Sequence, residues 1–247
     1  MRANGFSLVE LTVATAIVGI LAVFTAGAGW KVYESSSLAV SAENIRQLSA
    51  GAANYLAENN HRYWKFRIDE KAGTTFWFGF ESSKSMRRPE GERVFDPSLG
   101  PLGGYVPAAL KPDPSFQLGA RAFKPKYAWG YIGVGYNSLL GGGMSAKAAP
   151  VNYFSLKKPS GVVVFATSAQ VNTFQPPASA KKPMLEDFYL LDERETTVHF
   201  RHHGNAMVAY ADGSAGFLPM DESTRDNRMP NANVGRFAPI GSKDHLQ

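Results

Sequence analysis

A run of apolar residues from Leu11 to Trp30, entered through a single carboxylate at Glu10, constrains this 247-residue chain more than any other feature. From Phe6 to Trp30, Glu10 is the sole ionisable side chain. About 20 residues at ~1.5 Å each cross a hydrocarbon layer of roughly 30 Å. The pattern therefore predicts a transmembrane helix segment over residues 6–30, with residues 1–5 as a leader. Arg2 in that leader would keep it cytoplasmic and send the body outward. A secretory signal cleaved near Ala26-Gly27-Ala28 is one alternative reading, and an ordinary membrane anchor is another. Neither accounts for Glu10, because a carboxylate inside an apolar helix costs on the order of 2.5–3.5 kcal/mol. A free amine at the helix start would neutralise it, assisted by the positive end of the helix dipole. Scission between Gly5 and Phe6 would create such an amine, on the same chain or on a neighbour.

Beyond Trp30 the pattern becomes amphipathic. Val32, Leu38, Ala39, Ala42, Ile45, Leu48, Ala52, Tyr55 and Leu56 recur at spacings of three and four, with charged and polar residues between them. Residues 31–60 thus predict a continuation of the same helix, with Gly27 and Gly29 able to admit a bend. The apolar stripe needs a partner, and a sheet built from residues 61–247 supplies it. In that body Thr74 to Phe80 reads as a strand, and Asp96 to Pro114 as a long loop. Gly161–Phe165, Thr196–His202, Ala206–Ala211 and Ser214–Leu218 read as an antiparallel meander, turning at His203-Gly204-Asn205 and at Asp212-Gly213. The fold class expected is α+β: a long N-terminal helix packed on a C-terminal antiparallel sheet.

The residues Gly5-Phe6-Ser7-Leu8-Val9-Glu10-Leu11 resemble the class III signal of type IV pilins and type II secretion pseudopilins. That resemblance implies cleavage by a prepilin peptidase after Gly5, N-methylation of Phe6, and a role for Glu10 in registering one subunit against the next. It also implies a pilin-like architecture, a single-pass inner-membrane protein with its head in the periplasm, and a filament in the periplasm or at the cell surface. The partners implied are copies of the chain or other pilins, the peptidase and an inner-membrane assembly platform. Further on, His202 and Asp212-Gly213 in "HFRHHGNAMVAYADGSAGF" resemble the signature of a pilin-like subfamily abundant in planctomycetes and verrucomicrobia. Gly135-Tyr136-Asn137 and Pro159-Ser160-Gly161-Val162-Val163-Val164 are similar to two more of its segments. Thr167-Ser168 and Asp113-Pro114-Ser115 depart from it.

Catalytic and cofactor signals are weak. No cysteine is present, so disulfides and thiolate chemistry are excluded. The net charge of +5 comes from scattered pairs such as Lys157-Lys158 and Lys181-Lys182, which form no basic stripe for nucleic acid. Residues Trp129 to Asn137 lack the spacing of a dinucleotide fingerprint and read as a Gly/Tyr-rich strand or bend. No GxSxG or HExxH motif occurs, so no catalytic residue is assigned. His199, His202 and His203 with Asp212 invite a metal site across the hairpin. The plainer reading gives Asp212 to its turn and His202 to backbone, and no metal or cofactor is assigned. Glu186-Asp187 and Asp192-Glu193, among lysines and arginines, read as solvated loop charge. Two rivals to the structural reading follow: a membrane-anchored binding module outside the cytoplasm that never polymerises, and an anchored metallohydrolase using the histidines.

Overall fold

The computed structural model describes residues 35–106, 110–116, 122–129, 133–143, 145, 147–192 and 195–237. Gly5, Phe6, Glu10 and the whole expected transmembrane segment lie outside them. The chain divides into two compact units, Met1–Ala39 and Val40–Gln247. In the first, the described residues 35–39 are helical. The second opens with a helix, α1, over residues 40–58. Ser41, Asn44, Ile45, Leu48, Ala52 and Leu56 are its buried positions, as the three-four spacing requires. Gly51 interrupts this good helix-forming sequence for a packing reason. A Cβ there would lie 2.3 Å from Val106 Cγ2, so only glycine lets residues 105–106 approach the helix. The helix stops in a left-handed turn at Asn60 and His61 (φ 53° and 55°), where the His61 N–H donates to the Leu56 carbonyl.

Thirteen short strands follow among the described residues. β1 (Arg67–Glu70), β2 (Gly73–Phe76) and β3 (Gly79–Ser82) form one antiparallel sheet in that order. Thr74 to Phe80 is therefore not a single strand: the chain turns at Trp77-Phe78, because the indole is drawn into the core rather than left on a ladder. The main sheet contains β5 (Val134–Asn137), β6 (Val163–Thr167), β9 (Leu190–Leu191), β10 (Val198–His199), β11 (Asn205–Tyr210), β12 (Ala215–Asp221) and β13 (Val234–Phe237). Its order is β10-β13-β12-β11-β6-β5-β9. A third sheet sets β4 (Phe123–Lys124) beside β8 (Met184–Asp187), and β8 beside β7 (Ala169–Asn172).

The α+β class holds, but two of the three sheets are mixed. β4 runs parallel to β8, and β5 runs parallel to β9. The expected meander is also shorter than its sequence pattern. The turn at His203-Gly204 closes a bridge between His202 and Asn205, yet β10 pairs with β13 instead of extending along β11. The edge carbonyls of the 198–199 segment find a better partner from the far end of the chain. Trp64, just beyond α1, stacks on Tyr136 of β5 and Phe165 of β6 with centroids 4.9 and 6.1 Å away. The Trp77 ring packs on the same Phe165, and its Nε1 donates to the Tyr189 carbonyl at 2.7 Å. Two interior strands, β5 and β6, are buried along their full length. The consecutive apolar run at 162–166 reads accordingly as a strand covered on both faces.

Candidate functional site

The C-terminal signature does not assemble as one site. Asp212 sits in the β11–β12 turn, where its Oδ1 accepts from the Ser214 N–H at 2.9 Å and the Ser214 hydroxyl at 2.6 Å. Those bonds hold its carboxyl below the usual range. Gly213 supplies the left-handed residue that the turn requires (φ 87°). His202 lies at the other end of β11, and the six-residue strand between them is about 20 Å of extended chain. Burial, and then the nearby Arg201 charge, push His202 down to about 4. His203 is exposed on the tight turn. His199 is buried, with its Nδ1 3.2 Å from Arg201 Nη1. Among the described residues no group of His, Asp and Glu is arranged to hold a metal ion.

What surrounds Arg201 is a buried charge centre that sequence spacing could not announce. Its Nη2 donates to Asp113 Oδ2 at 2.7 Å and to the Gly133 carbonyl at 2.9 Å, and its guanidinium lies 4.7 Å over the Phe116 ring. The hydroxyls of Ser41, on α1, and Ser115 also donate to Asp113. Burial works to raise the Asp113 carboxyl, but Arg201 and the serines outweigh it and hold it down at about 2. One carboxylate thus ties the helix, the 113–116 loop and the C-terminal sheet together. Thr167, at the other departure from the subfamily pattern, is equally occupied: its hydroxyl donates to the His199 carbonyl and accepts from the Met207 N–H.

Glu186 and Asp187 overturn the expectation of solvated loop charge. Both lie on β8 and are fully buried. Burial pushes the Asp187 carboxyl up to about 7, against the pull of Tyr189 and Arg201. Glu186 belongs to a chain of ion pairs that begins at β3. Glu81 accepts two bonds from Arg93, at 2.7 and 2.6 Å, and one from the Tyr127 hydroxyl. Arg93 reaches Glu90 at 2.9 Å, Glu90 accepts from Lys124 at 2.8 Å, and Lys124 donates to Glu186 at 3.0 Å. The signal that could have found part of this network is apolar flanking: Lys124 stands between Phe123 and Pro125, and the Glu186-Asp187 pair between Leu185 and Phe188.

A cleft of about 320 Å³ opens beside α1, lined by Ala52, Leu56, Tyr63, Phe154, Tyr210 and Asp212 among others. Phe154 is 72% exposed at its rim and packs on His61 at 4.6 Å.

Comparison with known protein families brings one match, at the end of the chain opposite to the signature. Residues 1–26 match the prokaryotic N-terminal methylation motif. This supports a type IV prepilin-type signal, with processing by a prepilin peptidase and assembly with other pilins as its implications. No curated protein and no solved structure matches the chain. The methylation motif fits a membrane-anchored pilin precursor. No helix among the described residues is long and apolar enough to cross a membrane.

Proposed function

We propose that the chain is a structural subunit of a type IV pilus-like or type II secretion pseudopilus filament, cut between Gly5 and Phe6 and assembled through its N-terminal helix. The observation that carries this reading is the methylation motif over residues 1–26, with Glu10 as the lone charge in its apolar run. In this reading residues 1–5 are the leader, 6–30 the membrane span, 31–60 the amphipathic continuation and 61–247 the head. Phe6 carries the new amine, and Glu10 of one subunit pairs with the amine of the next during assembly. The precursor sits once across the inner membrane with its head in the periplasm. It meets the prepilin peptidase and an assembly platform there and leaves as filament. In this reading the head is a scaffold: Arg201 pairs with Asp113, which ties α1 to the C-terminal part of the head.

Mass spectrometry of the native N-terminus tests the reading. N-methylated Phe6 is expected; an intact Met1, or a terminus after Ala28, would exclude it. Glu10→Ala is expected to leave membrane insertion intact and to reduce filament yield at least tenfold, and unchanged yield would count against the assembly role. The aromatic-rimmed cleft beside α1 favours one second reading, an anchored binding module that stays monomeric. Isolated single copies in cross-linked native membranes would select that module.

A further inference from the structure

Lys124, Glu186 and Asn172 stand on three adjacent strands, β4, β8 and β7, and each has no exposed surface. Lys124 is the register partner of Glu186, while Gln170 faces Glu186 from the other side. Asn172, two residues on from Gln170, falls on the same face of β7. Lys124 Nζ and Asn172 Nδ2 both donate to one atom, Glu186 Oε2. Both also donate to Gln175 Oε1, at 3.4 and 2.9 Å. The two nitrogens are therefore neighbours in a pocket closed to water. The orientation of the Asn172 amide is fixed from both ends, because its Oδ1 accepts from the N–H groups of Phe174 (3.1 Å) and Gln175 (3.0 Å).

These are the groups an acyl transfer uses: an amine, an amide carbonyl whose oxygen faces two backbone donors, and one carboxylate touching both nitrogens. We propose that Lys124 and Asn172 form an intramolecular isopeptide bond, with Glu186 as the proton shuttle. One proton passes from the Lys124 ammonium to Glu186 Oε2 along their hydrogen bond. The amine, still beside Glu90 and Gln175, rotates about Cε–Nζ so that its lone pair leaves Glu186 Oε2 and turns to the neighbouring Asn172 amide. That pair attacks Asn172 Cγ, and the carbonyl π electrons move onto Oδ1 between the two N–H donors. Glu186 passes its proton to Nδ2 and takes one from the new secondary nitrogen. The Cγ–Nδ2 bond breaks, the carbonyl re-forms, and ammonia leaves with the last proton as ammonium. Lysine ammonium and asparagine amide become one secondary amide and one ammonium ion, with Glu186 again a carboxylate and no external reagent consumed. The bond would clamp the outer strands β4 and β7 across β8. It depends on the head alone, whether or not the chain polymerises.

Peptide mass spectrometry of the full-length protein, purified from its membrane after expression, tests this. The expected product is a linked peptide joining Lys124 to Asn172, about 17 Da lighter than its two parts through loss of ammonia. It should be absent from Lys124→Arg, which keeps a cation but no competent nucleophile, and from Asn172→Ala. In Glu186→Gln the linked fraction should form at least tenfold more slowly, as loss of a positioned acid–base predicts. The wild-type spectrum decides the matter even where a variant fails to fold. Separate, unshifted peptides bearing Lys124 and Asn172 would overturn the proposal. So would linkage to Gln175, or a deficit of the same size that persists in Lys124→Arg and so belongs to cyclised asparagine.

Discussion

Two regions of this head bury a cation among acids, and they do so to different ends. Around Arg201 the cation is a guanidinium, planar, always charged and without a usable lone pair. It holds Asp113 as a permanent anion and locks the helix to the C-terminal sheet. Around Lys124 the cation is an ammonium whose contacts are Glu90, Glu186 and Gln175. One proton shift there produces a nucleophile next to an oriented amide. The same electrostatic problem, a charge removed from water, is solved once by a group that cannot react and once by a group that can. Residue type, more than depth, separates a structural charge centre from a chemical one.

The largest effect should come from opening the inert centre. Asp113→Ala leaves the Arg201 side chain, 3% exposed, without its carboxylate, and about 3–5 kcal/mol of stability should be lost. A denaturant midpoint unchanged from wild type would break the comparison. Next comes Glu81→Gln, which removes the charge that Arg93 grips through two bonds. A loss of about 1–3 kcal/mol by urea titration is expected, smaller because Arg93 keeps Glu90.

The pH dependence separates the neighbours of Arg201 by sign. Asp187, raised to about 7 by burial, contributes stability that is complete below its unfolded value near 3.8 and fades as pH rises to 7. His202, lowered to about 4 by burial, does the reverse. Its contribution is complete above roughly 6.5 and is lost as pH falls toward 4. Thermal melts between pH 4 and 7 should therefore shift in opposite directions in Asp187→Asn and His202→Gln, each measured against wild type. Slopes that move together would show that these groups do not titrate with folding. The smallest effect belongs to Asp212→Ala, where two exposed turn bonds are lost. Less than about 1 kcal/mol is expected, and a drop of several would show that the signature aspartate has a buried partner after all.

Much of the fold was legible in the sequence because it follows local rules. The buried face of α1 at Ile45, Leu48, Ala52 and Leu56 follows from spacing. The β11–β12 hairpin follows from Asp212-Gly213, since few residues other than glycine accept that backbone. The β10–β13 pairing was not legible, as it joins two segments distant in sequence whose ladder is only two residues long. Glu186 and Asp187 were misread because a charged pair soon after Lys181-Lys182 looks solvated until its strand is known to be central to a sheet.

The sequence alone established the prepilin-type motif at residues 1–26, the helical periodicity and the turn chemistry, because each depends on neighbours a few positions apart. Only the tertiary structure decided that His202 and Asp212 stand apart, that Arg201 meets Asp113, and that Lys124, Glu186 and Asn172 share one dry pocket. Those outcomes depend on which distant strands pair and how deeply they are buried. Burial, in turn, decides whether a charged side chain is left to solvent, and its chemical type then makes it a lock or a reagent.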